Sequence, residues 1–452
     1  MNHKGHILYL YETATGLGHQ RRASGIVNQL FEDGFEVTVA SGSFVKPEEY
    51  FHSGINLIRL PTNRKNVGGK FHYYDEHNNL VLDEKFDLNS WKAQRKKAIE
   101  DIASHKKIDA LIPEWWPFKR INEFSGVVQQ IEESQERHFG QKPLIFSSIR
   151  DVLSRIDLDE PDNDNAQARR AVEILNNRVT AVLVHGDPHL VTFPETFALA
   201  DDIKIPLFYT GYVVRDADQP AGSDGRSKKV IISSGSGDLG HHVLNAAHSA
   251  RGRTDIALHN WTYVLGPRIG ESRDKLHCLK EVFTPPANGI YQVPQDECIE
   301  DTSDLPQWFR HAAFSISNAG YNTTMEVLSS GVPAVLTAKT KRDGDFDKEQ
   351  WSRLLRLQSR GMATIAHPDE TRNPKVFAQI INRAFQAGSP AVTLDFGGAR
   401  EASRIIDEFL RTHRRAGSVI WMPAHTAHGD ASVTDHMVAA IPAAEQEQRL
   451  AL

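Results

Sequence analysis

Two stretches of this 452-residue chain set glycine beside polar groups in a way that suits phosphate and sugar chemistry. The first runs Ser317-Asn318-Ala319-Gly320-Tyr321-Asn322-Thr323-Thr324-Met325-Glu326, after an apolar strand from Ala313 to Ile316. A glycine turn between a strand and a helix exposes backbone N–H groups at the positive end of the helix dipole, where phosphate binds well. Asn322 or Thr323 suits the N-cap, with Glu326 in reach as in a capping box. On the first turns of that helix the Glu326 carboxylate can take two hydrogen bonds from a ribose diol. Gly331 ends the helix, and Pro333 starts a buried strand from Ala334 to Thr337. An acidic loop then ends in Glu349-Gln350, adjacent polar groups of the kind that hold sugar hydroxyls. The plainer reading is an ordinary strand–turn–helix, and the downstream polar pair is what argues for a ligand.

The second stretch is Gly16-Leu17-Gly18-His19 with Arg21, after a strand from Ile7 to Tyr11. It sits at a strand's carboxyl end, where open α/β sheets place ligands. A glycine pair alone often does no more than tighten a turn. Ala23, Ile26, Val27, Leu30 and Phe31 share one face of the helix that follows, Gly34 closes it, and Phe35 to Ala40 forms the next strand. This β–loop–α–β opening implies a parallel sheet. Glu114 follows a strand from Ile108 to Ile112 and stands beside Trp115 and Trp116, a place for an acceptor-binding carboxylate or for a tryptophan-rich packing corner.

SNAGYNTTMEVLSSGVPAVL followed by DKEQ resembles the nucleotide-binding half of glycosyltransferase family 28. The resemblance implies that Gly320 with Thr323 faces a donor diphosphate, that Glu326 binds the ribose, and that Glu349 with Gln350 holds the donor sugar. The Gly-x-Gly-His loop with Arg21 is similar to the first loop of the same enzymes, which implies that Gly16 and Gly18 let backbone approach substrate and that His19 sits beside the reaction centre. Gly235, Ser236 and Gly237, after a strand from Val230 to Ser234, would form a second phosphate and sugar cradle. Asn318 stands where the peptidoglycan member of the family has a basic residue, so phosphate neutralisation falls to the turns at 235–237 and 318–323, Asn322 included, with Arg268 or Lys339. The resemblance covers roughly residues 5–412 and implies an α/β fold of two Rossmann-like parallel-sheet domains facing a cleft, the GT-B architecture.

Composition sets the bounds. With 40% hydrophobic residues, 452 residues suffice for two cores. The expected units are an acceptor domain over 1–212 and a nucleotide-sugar domain over 213–397. A helix over 398–412 would cross back to the first domain, and 413–452 is an extension. The polar run from Gly211 to Lys229 reads as the linker between them. Further strands are expected at Ile55–Leu60, Leu144–Ser147, Val179–Val184, Ile205–Tyr209 and Thr262–Leu265, with helices around 90–106, 118–136 and 165–177. Residues 61–89 look like a loop over the cleft. A net charge of −6 argues against nucleic acid. Cys278 and Cys298 have neither metal-ligand spacing nor the number for a disulfide framework. No run of 18 apolar residues exists, and the N-terminus reads as a strand rather than a signal peptide. A cytoplasmic protein is expected. The lysine- and arginine-rich helix with Trp91 and Ile99 reads as a solvated face, with peripheral contact to an anionic membrane as the second reading. His425, His428 and His436 invite a metal reading, but the tail reads better as a mobile or partner-packing extension.

The chemistry expected is transfer of a sugar from a nucleotide sugar, a UDP-sugar by the resemblance, to an acceptor hydroxyl that is lipid-linked, glycan or small-molecule. His19 is the candidate base and Glu114 the reserve. No cofactor and no metal is expected. Ala334 stands eight residues after Glu326, so the Glu-x7-Glu pair of many retaining enzymes is missing, which favours inversion. NAD binding is disfavoured, because the Gly235 loop lacks the following acidic residue of a dinucleotide fingerprint. A nucleotide-sugar hydrolase using His19 on water, or an epimerase, are the alternatives.

Overall fold

The computed structural model describes residues 3–12, 17–65, 71–77, 79–81, 87–118, 121–153, 166–215, 226–235, 241–266, 275–279, 296–300, 302–341 and 344–416. Among them, one parallel sheet comprises β1 (His6–Leu10), β2 (Glu36–Ser41), β3 (Asn56–Arg59), β7 (Ala110–Pro113), β8 (Leu144–Arg150), β9 (Ala181–His185) and β10 (Leu207–Tyr209). Its order is β3-β2-β1-β7-β8-β9-β10. A second parallel sheet comprises β11 (Lys229–Ser233), β12 (Asn260–Val264), β13 (Glu297–Ile299), β14 (Phe314–Asn318), β15 (Ala334–Thr337) and β16 (Thr364–Ala366), in the order β13-β12-β11-β14-β15-β16. Counted from its own first strand, each sheet runs 3-2-1-4-5-6, the doubly wound Rossmann order, with a seventh strand on the first. The central strands are buried on both faces, as expected when helices cover a parallel sheet on two sides. The α/β class of two Rossmann-like domains is therefore the observed one.

The helices are α1 (Gly18–Glu32), α2 (Leu88–His105), α3 (Ile121–Phe139), α4 (Ala166–Arg178), α5 (His241–Ala250), α6 (Leu305–His311), α7 (Tyr321–Ser330), α8 (Lys348–Ser359), α9 (Pro368–Thr371), α10 (Pro374–Ala387) and α11 (Gly398–Ala416). On α1 the side chains of Ala23, Ile26, Val27 and Leu30 are buried against the first sheet. Glu349 and Gln350 correct the loop expectation: they lie in the first turn of α8, which Asp347 caps by accepting from the Gln350 N–H at 3.1 Å.

Residues 61–89 are not simply a loop. Their described part forms a small antiparallel sheet of β4 (Thr62–Lys65), β5 (Phe71–Tyr74) and β6 (Leu80–Val81), running into α2. Glu12, just past β1, pins this excursion to the main sheet. Its buried carboxylate accepts from two Arg95 nitrogens at 3.0 Å, from the Ser43 and Thr62 hydroxyls at 3.2 Å and from the Gly42 N–H at 3.3 Å. No hydrophobic alternation marks β4, Thr62-Asn63-Arg64-Lys65, whose first residue this network uses.

After the second sheet the chain returns to the first domain. The Tyr212 N–H donates to the Asp395 carbonyl at 2.7 Å, and the Gly398 N–H donates to the Tyr212 carbonyl at 3.1 Å. Gly398 has to be glycine for this approach, because a Cβ there would lie 2.4 Å from the Gly211 carbonyl oxygen. From that point α11 lays Ala402, Ile405, Ile406, Phe409 and Leu410 into the core that holds Ile7, Tyr9, Val27 and Leu30. Phe409 meets Phe146 and Phe208 edge-on, at 5.6 and 6.0 Å between ring centres. The tail beyond Ala416, with His425, His428 and His436, lies outside the described residues. Phe409→Ala should remove about 3–5 kcal/mol of stability by leaving a cavity under the first sheet. Denaturant unfolding followed by tryptophan fluorescence measures this, and a loss under about 1 kcal/mol would mean that α11 is not part of that core.

Candidate active site

The strand order reverses between β1 and β7 in the first sheet, so the loops leaving these neighbours diverge and open a crevice. His19 and Glu114 meet there. Glu114 is held rigidly: its N–H donates to the Leu10 carbonyl at 2.9 Å, and it bridges to Ser148 of β8. The next residue, Trp115, has φ +67°, an uncommon conformation for a bulky side chain and one found where a fold aims residues at a site. The Trp115 N–H donates to the Ser148 carbonyl at 2.9 Å and the Trp116 indole donates to the Ser125 hydroxyl at 3.1 Å, which holds the corner in place. The corner is tryptophan-packed, and it turns the buried Glu114 carboxylate toward α1.

His19 occupies the second position of α1 with its side chain 28% exposed, and its Nδ1 lies 2.7 Å from Glu114 Oε2. The candidate base and its reserve are thus partners, not alternatives. Arg22, one helical turn on, takes the other carboxylate oxygen of Glu114, and both are almost fully buried. Positions i and i+3 share a helix face, so His19 and Arg22 grip the same carboxylate. The Arg22 guanidinium also lies 5.8 Å from the ring centres of Trp115 and of Tyr321 in the second domain.

The second domain closes over this corner through α7. The Asn322 amide donates to the Gly18 carbonyl at 2.8 Å, and the Tyr321 hydroxyl donates to the His185 carbonyl at 2.6 Å. Glu326 is largely buried and pairs with Arg21 at 3.4 Å. A cavity of about 20 Å³ lies between these two residues, Tyr50, Arg215 and Ser303, room for a water molecule only. Helix α7 corrects the capping expectation: it begins at Tyr321 with Gly320 as N-cap, and no side chain caps it. Thr323 is instead buried within the first turn, and a Cβ added at Gly320 would meet open space.

Further along the interface, Glu349 accepts from Arg150 at 2.7 Å and from Arg353 at 3.1 Å. Arg353 reaches across to Asp151 with two hydrogen bonds, at 2.9 and 3.0 Å, and the Tyr212 hydroxyl adds a third at 3.1 Å. Burial pushes the Asp151 carboxyl up, but the charge and hydrogen bonds of Arg353 outweigh it and hold the group below the ordinary value. Gln350 points its carbonyl oxygen at the Lys339 N–H, 2.9 Å away. At the second sheet's switch point, between β11 and β14, the buried Asn318 amide donates to the Ser234 carbonyl at 3.1 Å and ties the two loops together. Gly235 follows with φ +75°. Gly16, Ser236, Gly237 and Arg268 lie outside the described residues.

Sequence reasoning missed Arg22, Arg150, Asp151, Tyr321 and Arg353. Arg22 was within reach, one turn after His19. The others sit at a strand end or inside helices, and their partners across the domain interface are more than 130 residues away in sequence. Among the described residues, no group of three His, Cys, Asp or Glu side chains is placed to hold a metal. Among them also, no helix is long and apolar enough to cross a membrane.

Two facing Rossmann-like sheets joined by a returning helix make up the GT-B class of fold, as the resemblance implies. No protein-family model matches the chain, and no curated protein sequence is significantly similar to it. Among solved structures, the calicheamicin glycosyltransferase CalG4 is similar over 91% of this chain and 95% of its own, at 14% identity and a TM-score of 0.49. Acinetobacter baumannii MurG is similar over 90% of this chain and 99% of its own, at 13% identity and a TM-score of 0.47. Phytolacca americana UGT2, solved with UDP-2-fluoro-glucose and pterostilbene, is similar over 92% and 96%, at 13% identity and a TM-score of 0.49. Each of these is a likeness of outline only.

The buried imidazoles make stability pH-dependent. His185 lies between the Ser148 and Thr210 hydroxyls, 2.8 Å from each, and burial, followed by the Arg22 charge, depresses it well below 6.5. A group so depressed contributes stability that is fully present above 6.5 and is lost as pH falls toward its folded value. Unfolding free energy should therefore decline on titration from pH 7.5 to 5. His185→Gln should decline less steeply, and equal slopes would contradict the assignment.

Proposed function

We propose that the protein is a glycosyltransferase that moves a sugar from a nucleotide sugar, of the UDP class, to an acceptor hydroxyl with inversion. The observation that carries this reading is the His19–Glu114 pair at 2.7 Å, on the first domain's switch point and facing the start of α7. An ionised Glu114 accepts the Nδ1 proton of His19, so the Nε2 lone pair is the base. In the reaction the acceptor oxygen bonds to the anomeric carbon as its proton passes to Nε2, while the carbon–oxygen bond to the diphosphate breaks on the opposite face. Negative charge then builds on the leaving diphosphate. The N–H groups opening α7 beside Gly320 lie at the second switch point where they can receive it.

The donor competes with the protein's own contacts. A pocket that holds a ligand of nucleotide size needs roughly 300 Å³ or more, so the Arg21–Glu326 pair has to part before a ribose diol can take its place on Glu326. Glu349 likewise exchanges Arg150 or Arg353 for sugar hydroxyls. The antiparallel sheet β4–β6, fixed by Glu12 near the end of β1, gives the acceptor a wall on the first domain. Metal is not required in this scheme.

Two variants test the scheme. His19→Ala should cut turnover about 10²–10⁴-fold, the range for a positioned proton acceptor, with donor affinity nearly unchanged. Wild-type turnover in a folded His19→Ala protein would remove the base. Glu326→Ala should weaken UDP binding by about 1–3 kcal/mol, the scale for hydrogen bonds to a charged group. Calorimetry returning unchanged UDP affinity in the folded variant would take Glu326 out of the donor site. UDP release without any acceptor would instead favour the hydrolase, and an isomerised donor would favour the epimerase.

A further inference from the structure

We infer that Arg22 is a positioning residue that fixes which imidazole nitrogen of His19 carries the proton, an inference that rests on the reading of His19 as base. Glu114 is buried to 1% exposure with its two oxygens divided between His19 Nδ1 and Arg22. A carboxylate so buried takes up a proton unless a cation holds it ionised. The protonation state matters through the hydrogen bond to His19. Ionised, Glu114 can only accept, so Nδ1 carries hydrogen and Nε2 keeps its lone pair for the acceptor hydroxyl. Protonated, it would donate to Nδ1, the hydrogen would move to Nε2, and the base would face the cleft as a donor. Arg22 decides between these two states.

Arg22 meets the Glu114 carboxylate directly. Tyr9 of β1 and Tyr11 just beyond it are buried, with hydroxyls pushed up by burial, and Tyr321 likewise, so none of the three is charged near neutrality. His185 beyond Ser148 is held neutral by its burial. Arg150 lies over the Trp115 ring at 4.9 Å and spends its charge on Glu349. Arg22 itself is sealed in by Trp115 from below and by Tyr321 from the second domain, each at 5.8 Å. The donor domain therefore forms part of the wall that keeps water off the Arg22–Glu114 pair.

The test compares Arg22→Met and Arg22→Lys with wild type, each checked for folding by circular dichroism and melting. Arg22→Met should lower kcat about 10²-fold and move the acid limb of the kcat/KM profile upward by about one pH unit. The direction follows because losing a cation raises the proton affinity of both members of the pair. Arg22→Lys should restore the limb to near its wild-type position. Nitrogen-15 spectra of histidine-labelled protein, with the His19 signal identified by His19→Gln, should report hydrogen on Nδ1 in wild type and on Nε2 in Arg22→Met. If Arg22→Met does not fold, Arg22→Gln serves in its place. An unchanged tautomer and acid limb in the folded variant would reduce Arg22 to a packing residue. A changed tautomer alongside full turnover in His19→Ala would leave the Arg22 hold standing and overturn the base.

Discussion

A carboxylate taken out of water has to be neutralised by a cation or a proton, and this requirement organises the interface between the two domains. Glu114, Asp151 and Glu326 are all buried there, and each lies within hydrogen-bonding or ion-pairing reach of an arginine. Only Arg22–Glu114 lies within one domain. Arg353–Asp151 and Arg21–Glu326 cross between them, and so does Arg150–Glu349. Breaking a buried pair by removing one partner costs about 3–5 kcal/mol, so the domains are held in register by these charges, and under the proposed function the same charges line the donor's place. On that proposal the same groups would serve closure and donor recognition in turn.

This double use gives a physical account of donor entry. A nucleotide brings its own anionic groups and hydroxyls and exchanges them for the arginine contacts, so part of its binding energy goes into separating pairs that already exist. Arg353–Asp151 is the least exposed of the crossing pairs and is supported by the Tyr212 hydroxyl. It lies beside the segment where α11 returns to the first domain, since Tyr212 is also tied to Asp395 and Gly398. Arg21–Glu326 and Arg150–Glu349 are the more exposed crossing pairs.

Much of the fold was readable because parallel sheets buried on both faces leave short apolar runs separated by glycine loops. Ile7–Tyr11, Leu144–Ser147 and Ala334–Thr337 each fall on an observed strand within a few residues. Gly331 stops α7 in the left-handed conformation, at φ +63°, as its place after the helix suggested. The antiparallel strands β4–β6 were not legible, because Thr62-Asn63-Arg64-Lys65 shows no apolar alternation and Thr62 is spent on the buried Glu12 carboxylate. The start of α7 was misread for a related reason: Asn322, a good cap by type, spends its amide on Gly18 of the other domain. His19 and Glu114 could be picked out singly from their loops. Their partnership could not, since it depends on β1 and β7 lying side by side and the two residues are 95 positions apart in sequence. Long-range pairing of this kind leaves no local periodicity to read.

The most direct measurement is proton NMR of a reaction containing an α-linked UDP-sugar, a panel of hydroxyl acceptors and the intact protein. Base catalysis from His19 with displacement on the face opposite the diphosphate predicts a β-linked product, formed in step with UDP and only when an acceptor is present. An α-linked product, or UDP and free sugar appearing at the same rate without acceptor, would contradict it.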